Sequence, residues 1–304
     1  MALKVYNPKT PGARALVDNG CMSRVIDAHT HILPDRFRSE PEAFLERDLT
    51  FRALFGQARN SRTAGADELI ASMDEAGVDA AVVMGYGWTD LDTARLSNDY
   101  LLESAARHPG RLIPCCSVNP LWGDDALLEV RRCAAGGARG VGELHPDTQR
   151  LPGVPLDSLA PFMAVARELN LPLVVHASEP VGHVYPGKGT MTPELTLGLA
   201  EAFPRNRFVF AHFGGGLPLY AAMPEVAKSI ANCRFDAAAA PFLYSSSIYR
   251  MAVDAAGADA IMFASDYPLV GQRRALEHLD AAGLDGAVRG RVAGANAAAL
   301  FGVE

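Results

Sequence analysis

The chain has 304 residues, 49% of them hydrophobic and 21% charged, with a formal net charge of −7 and a pI near 5.6. That acidity argues against a nucleic-acid binder held by phosphate contacts, and no apolar run reaches the roughly 18–20 residues that cross a bilayer. Five cysteines, at 21, 115, 116, 133 and 233, have no CxxC spacing; they are expected to be reduced core residues of a cytoplasmic protein.

Residues 1–23 read as a polar leader without the apolar centre of a secretory signal, and residues 24–304 read as one domain. The first predicted strand is "RVIDAHTH". Side chains alternate faces along a strand, so His29 and His31 point the same way and can chelate one cation. By the same rule Asp27 shares their face and is expected to support them from beneath. Residues 35–66 follow as an insertion, "RFRSEPEAFLERDLTFRALFGQARNSRTAG" at its centre, expected to be partly helical and to lie over the mouth of a site.

Seven further apolar runs follow: "DAAVVMGYG", "RLIPCCSVNP", "ARGVGELHP", "LPLVVHAS", "RFVFAHFGG", "CRFDAAAA" and "AIMFASDYP". Their starts recur roughly every thirty residues, the length of a strand–helix unit. Segments of helical period lie between them, among them "DELIASMDEAG", "LDSLAPFMAVARELN" and "PELTLGLAEAF". Eight such units predict an α/β fold, a (β/α)8 TIM barrel with an insertion after strand 1. A doubly wound open sheet is the alternative. The tail "LDGAVRGRVAGANAAALFGVE" is expected to close the fold with one or two helices.

In this register the polar residues gather at strand ends: His29 and His31 on strand one, Glu143 on four, His176 on five, His212 on six and Asp266 on eight. The C-terminal ends of barrel strands open onto one mouth, where the chemistry of this architecture sits. Six buried ionisable groups converging there need a cation to compensate them. Histidine and carboxylate donors without thiolate suit Zn²⁺ first, with Mn²⁺, Fe²⁺, Ni²⁺ or Co²⁺ as alternatives, one or two ions. A metal-bound water could then lose its proton to Asp266, while His212 polarises or protonates a small-molecule substrate.

"DAHTHILP", "VFAHFGGGLP" and "MFASDYPL" resemble the amidohydrolase superfamily, and within it the amidohydrolase-related group of metal-dependent hydrolases and nonoxidative decarboxylases. The resemblance runs from about residue 24 to the C-terminus. It implies His29, His31, His176 and Asp266 as metal ligands and His212 as the catalytic histidine, and it is compatible with a homodimer. "GVGELHPD" departs from the decarboxylases and is similar to the "GE" element of TatD-like hydrolases, which implies Glu143 as a bridge between two ions. The leading expectation is therefore hydrolysis of an amide, ester or lactone. The alternatives are decarboxylation of an unsaturated or aromatic acid, or a non-catalytic metal-binding scaffold. Candidate substrate contacts are His145, Glu179, His183, Tyr185 and Arg273, with Lys188, Arg36, Arg274 and the backbone of Gly214–Gly216 as further candidates.

Overall fold

The computed structural model describes residues 24–56, 62–185 and 187–303; the leader expected at 1–23 lies outside them. Eight short strands are rich in β-branched and apolar residues and buried along nearly their whole length, as strands covered on both faces are. They are β1 (Ile26–His31), β2 (Ala80–Met84), β3 (Leu112–Cys116), β4 (Gly140–Leu144), β5 (Leu173–Val175), β6 (Phe208–Phe210), β7 (Cys233–Asp236) and β8 (Ile261–Met262). Each pairs in parallel with the next. The ring closes where Ala28 N donates to Phe263 O (2.9 Å), Asp266 N to His29 O (3.0 Å) and His31 N to Tyr267 O (2.7 Å). The expected (β/α)8 barrel is what forms.

The main crossover helices are α1 (Ala66–Ala76), α2 (Leu91–Arg107), α3 (Asp124–Ala135), α4 (Ala160–Glu168), α5 (Pro193–Ala202), α6 (Pro224–Ser229), α7 (Ser247–Ala256) and α8 (Gln272–Asp280). Local chemistry sets their ends. The Asp90 side chain accepts from Thr93 N to start α2, and Gly77 takes the left-handed conformation that stops α1. The core has two layers. Ile26, Val82, Met84, Cys115, Val174 and Met262 fill the barrel, whose base is plugged by Ala297, Leu300 and Phe301 of the C-terminal helix. Val83, Cys116, Val141, Phe208 and Phe235 face the helices instead, so the adjacent thiols at 115 and 116 take opposite faces, as strand alternation requires.

One register expectation fails. Asp27 pairs with Ala81, whose side chain faces the helices, whereas His31 pairs with Met84, which faces the barrel; the register shifts between Asp27 and Thr30. A bulge of this kind breaks the two-residue alternation. Asp27 therefore points away from the His29 face and accepts from Ser265 N (2.9 Å), Ser265 Oγ (2.6 Å) and Gln272 Nε2 (2.9 Å) behind the wall.

The insertion is helical over Arg36–Ser39, Pro41–Arg47 and Leu49–Phe55. Phe37, Phe44 and Phe51 make a small aromatic cluster with Trp88. Asp48 fastens it to the loop after β2, accepting from Phe51 N (2.8 Å), Thr89 N (2.7 Å) and Asp90 N (2.9 Å). No helix among the described residues is long and apolar enough to cross a membrane.

Candidate metal centre and substrate pocket

The six strand-end groups meet. His29, His31 and Asp266 bring one ligand atom each within 4.8 Å of one another, as do Glu143, His145 and His176. Local backbone features aim them. The β4 register also shifts, between Val141 and Leu144, which frees Glu143 to face inward. Gly142 beside it leaves no room for a side chain, since a Cβ there would lie 2.6 Å from Val174 Cβ. His212 and Asp266 have φ of 56° and 68°, a left-handed conformation costly for side-chain-bearing residues and found where surrounding structure over-determines it. At His212 that structure is Asp236, whose Oδ1 accepts from His212 N (3.2 Å) and Ala238 N (3.0 Å).

The outward nitrogens of the rings fix what the inward ones can do. His29 donates Nδ1–H to Asp236 Oδ2 (2.9 Å) and His31 donates Nδ1–H to Gly85 O (3.1 Å). Both Nε2 atoms are then lone-pair donors, and they stand 3.0 Å apart. His212 donates Nδ1–H to Ala238 O and His176 donates Nε2–H to Gly187 O, each at 2.9 Å. That leaves His212 Nε2 and His176 Nδ1 face to face at 3.2 Å. Two lone pairs at such a distance repel unless a proton or a cation lies between them, and outer partners of this type are what hold metal-binding histidines in the right tautomer. The donor set fits a divalent cation.

Glu143 lies between the two pairs. Its Oε2 is 3.7 Å from both His29 Nε2 and His31 Nε2, and its Oε1 is 2.9 Å from His176 Nδ1 and 3.8 Å from His212 Nε2. Burial would push its carboxyl up, but His145, His176 and His29 outweigh that and hold it well below the usual range. Asp266 is likewise held down against burial, chiefly by His31. Burial disfavours the cationic form of His29 too, yet Asp236 and Glu143 raise its pKa well above the ordinary value. His145 and His212 go the other way, with burial keeping them neutral.

Above this floor opens a cavity of about 500 Å³ walled by Leu54, Phe55, Tyr86, Phe242, Leu243 and Leu269. Tyr86 stacks on His31 with centroids 4.0 Å apart. Burial drives its phenol pKa well up, so it stays protonated. His145 lines the same cavity and bonds Glu143 Oε2 at 2.8 Å, while His183 and Tyr185 stand on its rim.

Other expected contacts fall elsewhere. Arg273 bonds Glu75 (2.9 and 3.0 Å) on the outside, and Arg36 pairs with Glu40; a residue's place soon after a strand end does not fix which way its helix turns it. Glu179 is not on the cavity wall but accepts from Tyr185 and Tyr244. Lys188 Nζ is spent on the Val181 and His183 carbonyls, and Arg274 packs its guanidinium over Phe242, 4.5 Å from the centroid. Gly215 is explained by packing, because a Cβ there would lie 2.3 Å from Ser178 O. Sequence reasoning missed Asp236 and Tyr86. Asp236 ends the run "CRFD" as the six strand-end groups end theirs, so the same strand-end rule would have found it.

Residues 26–303 match the family described as amidohydrolase. The gamma-resorcylate decarboxylase of Rhodococcus jostii (strain RHA1) is 26% identical over 258 residues, 70% of this chain and 78% of that one. The crystal structure of 5-carboxyvanillate decarboxylase from Sphingomonas paucimobilis superposes with a TM-score of 0.75 at 18% identity, covering 93% of this chain and all of that one. The 5-carboxyvanillate decarboxylase of Novosphingobium aromaticivorans, a mutant solved with bound manganese, superposes at 0.73 and 18% identity, over 92% of this chain and 97% of that one.

Proposed function

The chain belongs to the amidohydrolase family, and from that premise we propose that it is a divalent-metal-dependent enzyme that decarboxylates a small aromatic or unsaturated carboxylic acid without oxidation. Of the two reactions expected from sequence, the similar decarboxylases support this one over hydrolysis. The observation that carries it is the cavity itself. A cation-competent floor meets aromatic and aliphatic walls in a space of about 500 Å³, which suits one planar ring with its polar edge down.

His29, His31, His176, Glu143 and Asp266 would hold the metal, with manganese and zinc both compatible with the donor set. When bound, the metal supplies a positive charge that orients the substrate's oxygens and stabilises negative charge on them. The remaining steps belong to the chain. Aromatic faces of Tyr86, Phe55 and Phe242 orient the ring and exclude water. Asp266, a carboxylate on the cavity wall 3.3 Å from His31 Nε2, takes a proton from the substrate's acidic hydroxyl and returns it to the ring carbon that bears the carboxylate. The carbon–carbon bond then breaks, CO2 leaves, and its electron pair restores the ring. His212, with Nδ1–H committed to Ala238 O, offers only Nε2 and so acts as an acceptor.

Hydrolysis stays as a second reading for one specific reason: the two oxygens of Glu143 face different histidine pairs, the disposition of a carboxylate that bridges two ions. Two assays separate the readings. Manganese-loaded protein incubated with gamma-resorcylate and with 5-carboxyvanillate is expected to release CO2. Turnover of aryl esters or lactones with neither acid consumed would overturn decarboxylation. Metal content per chain, compared with Glu143→Ala, decides the bridge: about two ions falling to one or none supports it, and one ion unchanged by the substitution removes it.

A further inference from the structure

The loop after β5, described over residues 178–185 and 187–190, carries more fastenings than a solvated turn needs. At its feet Ser178 N donates to Met191 O (2.9 Å), Gly189 N to Ser178 Oγ (2.9 Å), and Thr190 N and Oγ1 to the Asp147 carboxylate after β4 (2.9 and 2.6 Å). Gly189 leaves room for that carboxylate, because a Cβ there would lie 2.2 Å from Asp147 Oδ2 and displace it. Lys188 closes the loop on itself through Val181 O (2.7 Å) and His183 O (3.1 Å). Its tip has almost nothing to pack on: Val181 and Val184 are 74% and 90% exposed. An element so poor in buried apolar contacts sits at the low-stability end of a fold and depends on its polar fastenings.

One fastening joins this loop to the segment after β7. The half-buried Glu179 accepts from Tyr185 OH of its own loop through Oε2 and from Tyr244 OH of the segment after β7 through Oε1, both at 2.8 Å. Burial, then Glu179 itself, pushes both phenols up, so both remain donors. In this position Tyr185 and His183 stand on the cavity rim, and Gly187 O receives Nε2–H of His176 at 2.9 Å. That bond holds the ring with Nδ1 toward Glu143.

We propose that Glu179 is a positioning residue: it latches residues 178–185 and 187–190 as a strap beside the substrate cavity, and the seated strap supplies the Gly187 carbonyl that keeps His176 Nδ1 turned to the metal. The inference rests on the reading of His176 as a ligand. It makes the strap and the metal centre one cooperative unit, so that unlatching opens the cavity and loosens a ligand together.

The test uses full-length manganese-loaded wild type, Glu179→Ala, Glu179→Gln and Tyr244→Phe. Hydrogen exchange is read over 180–188, and the rate of Mn²⁺ loss to excess chelator is read beside it. E179A is expected to expose 180–188 and to speed Mn²⁺ loss about tenfold, the low end of what losing an outer partner of a ligating histidine does. E179Q, which keeps one acceptor, and Y244F, which removes one donor, are expected to fall between E179A and wild type on both readouts. Faster exchange at 180–188 with an unchanged rate of Mn²⁺ loss overturns the link to His176. Unchanged exchange in E179A overturns the latch. A wild type that retains no Mn²⁺ fails the metal reading before any variant is compared, so the two failures are distinguishable.

Discussion

Asp27 and Asp236 are both fully buried, and their surroundings ask different things of them. Around Asp27, burial outweighs the donors of Ser265, Gln272 and His29, and its carboxyl is pushed up from 3.8 to about 6. A folded-state pKa above the unfolded one means the folded protein holds the proton more tightly. The stabilisation is complete below the unfolded value and is lost as pH rises through about 6. That preference for the protonated carboxyl corresponds to roughly 3 kcal/mol. Asp27→Asn removes the titration while keeping the shape, so urea midpoints of chelator-treated wild type should decline relative to the variant between pH 4 and 6.5. A difference that stays flat over that window would show that burial does not control this carboxyl. Asp236 has two jobs at once, since Oδ1 takes His212 N and Ala238 N while Oδ2 takes His29 Nδ1–H. In Asp236→Asn the oxygen stays with the backbone donors and the amide N–H faces His29. His29 must then become the Nε2–H tautomer, with its proton aimed at its neighbour. Manganese affinity is expected to fall 10–100-fold with the fold retained, measured by chelator competition; an unchanged affinity would remove His29 from the ligand set.

At the scale of elements, what the sequence disclosed followed from contrast. A polar residue ending an apolar run stands out, which is why the sequence alone assigns His29, His31, Glu143, His176, His212 and Asp266 to one mouth. What stayed hidden needed three-dimensional register. The bulge after Asp27 is not encoded by any turn residue in "VIDAHTH", so alternation put that side chain on the wrong face. Tyr86 and Phe242 are aromatic residues past strand ends, indistinguishable in sequence from ordinary core, and only the cavity shows that they wall it. The insertion was legible as helical but not as a separate packing unit. Its cluster of Phe37, Phe44 and Phe51 with Trp88 is distinct from both barrel layers. Phe44→Ala, a truncation that costs about 3–5 kcal/mol in a well-packed site, should therefore loosen the insertion alone. Hydrogen exchange is expected to rise over 36–55 and to stay unchanged in β2 through β7. Exchange that rises throughout the barrel would show that the insertion is part of the main folding unit.

For the whole molecule, the centre matters because of where its donors come from. His29 and His31 lie on β1, Glu143 ends β4, and His176 and Asp266 follow β5 and β8, so in the proposed ligand set a bound cation would tie four of the eight strands at one end of the barrel. Without it, the strand ends bring together two close nitrogen pairs, each of which needs a proton between its members, beside the buried carboxylates of Glu143 and Asp266. A ligand that binds only the folded state adds about 2.7 kcal/mol when its free concentration is a hundred times its dissociation constant. Because the ligating strands are spread around the ring, that gain belongs to the cooperative unfolding of the entire barrel and not to a local segment. Mn²⁺ added to chelator-treated protein should accordingly raise a single thermal transition by a few degrees, and D236N should need proportionally more metal for the same rise. A transition that splits, with only an early component moving, would place the cation in a locally unfolding region. No shift at all would mean that the histidine pairs are bridged by protons, with no metal to hold the mouth of the barrel.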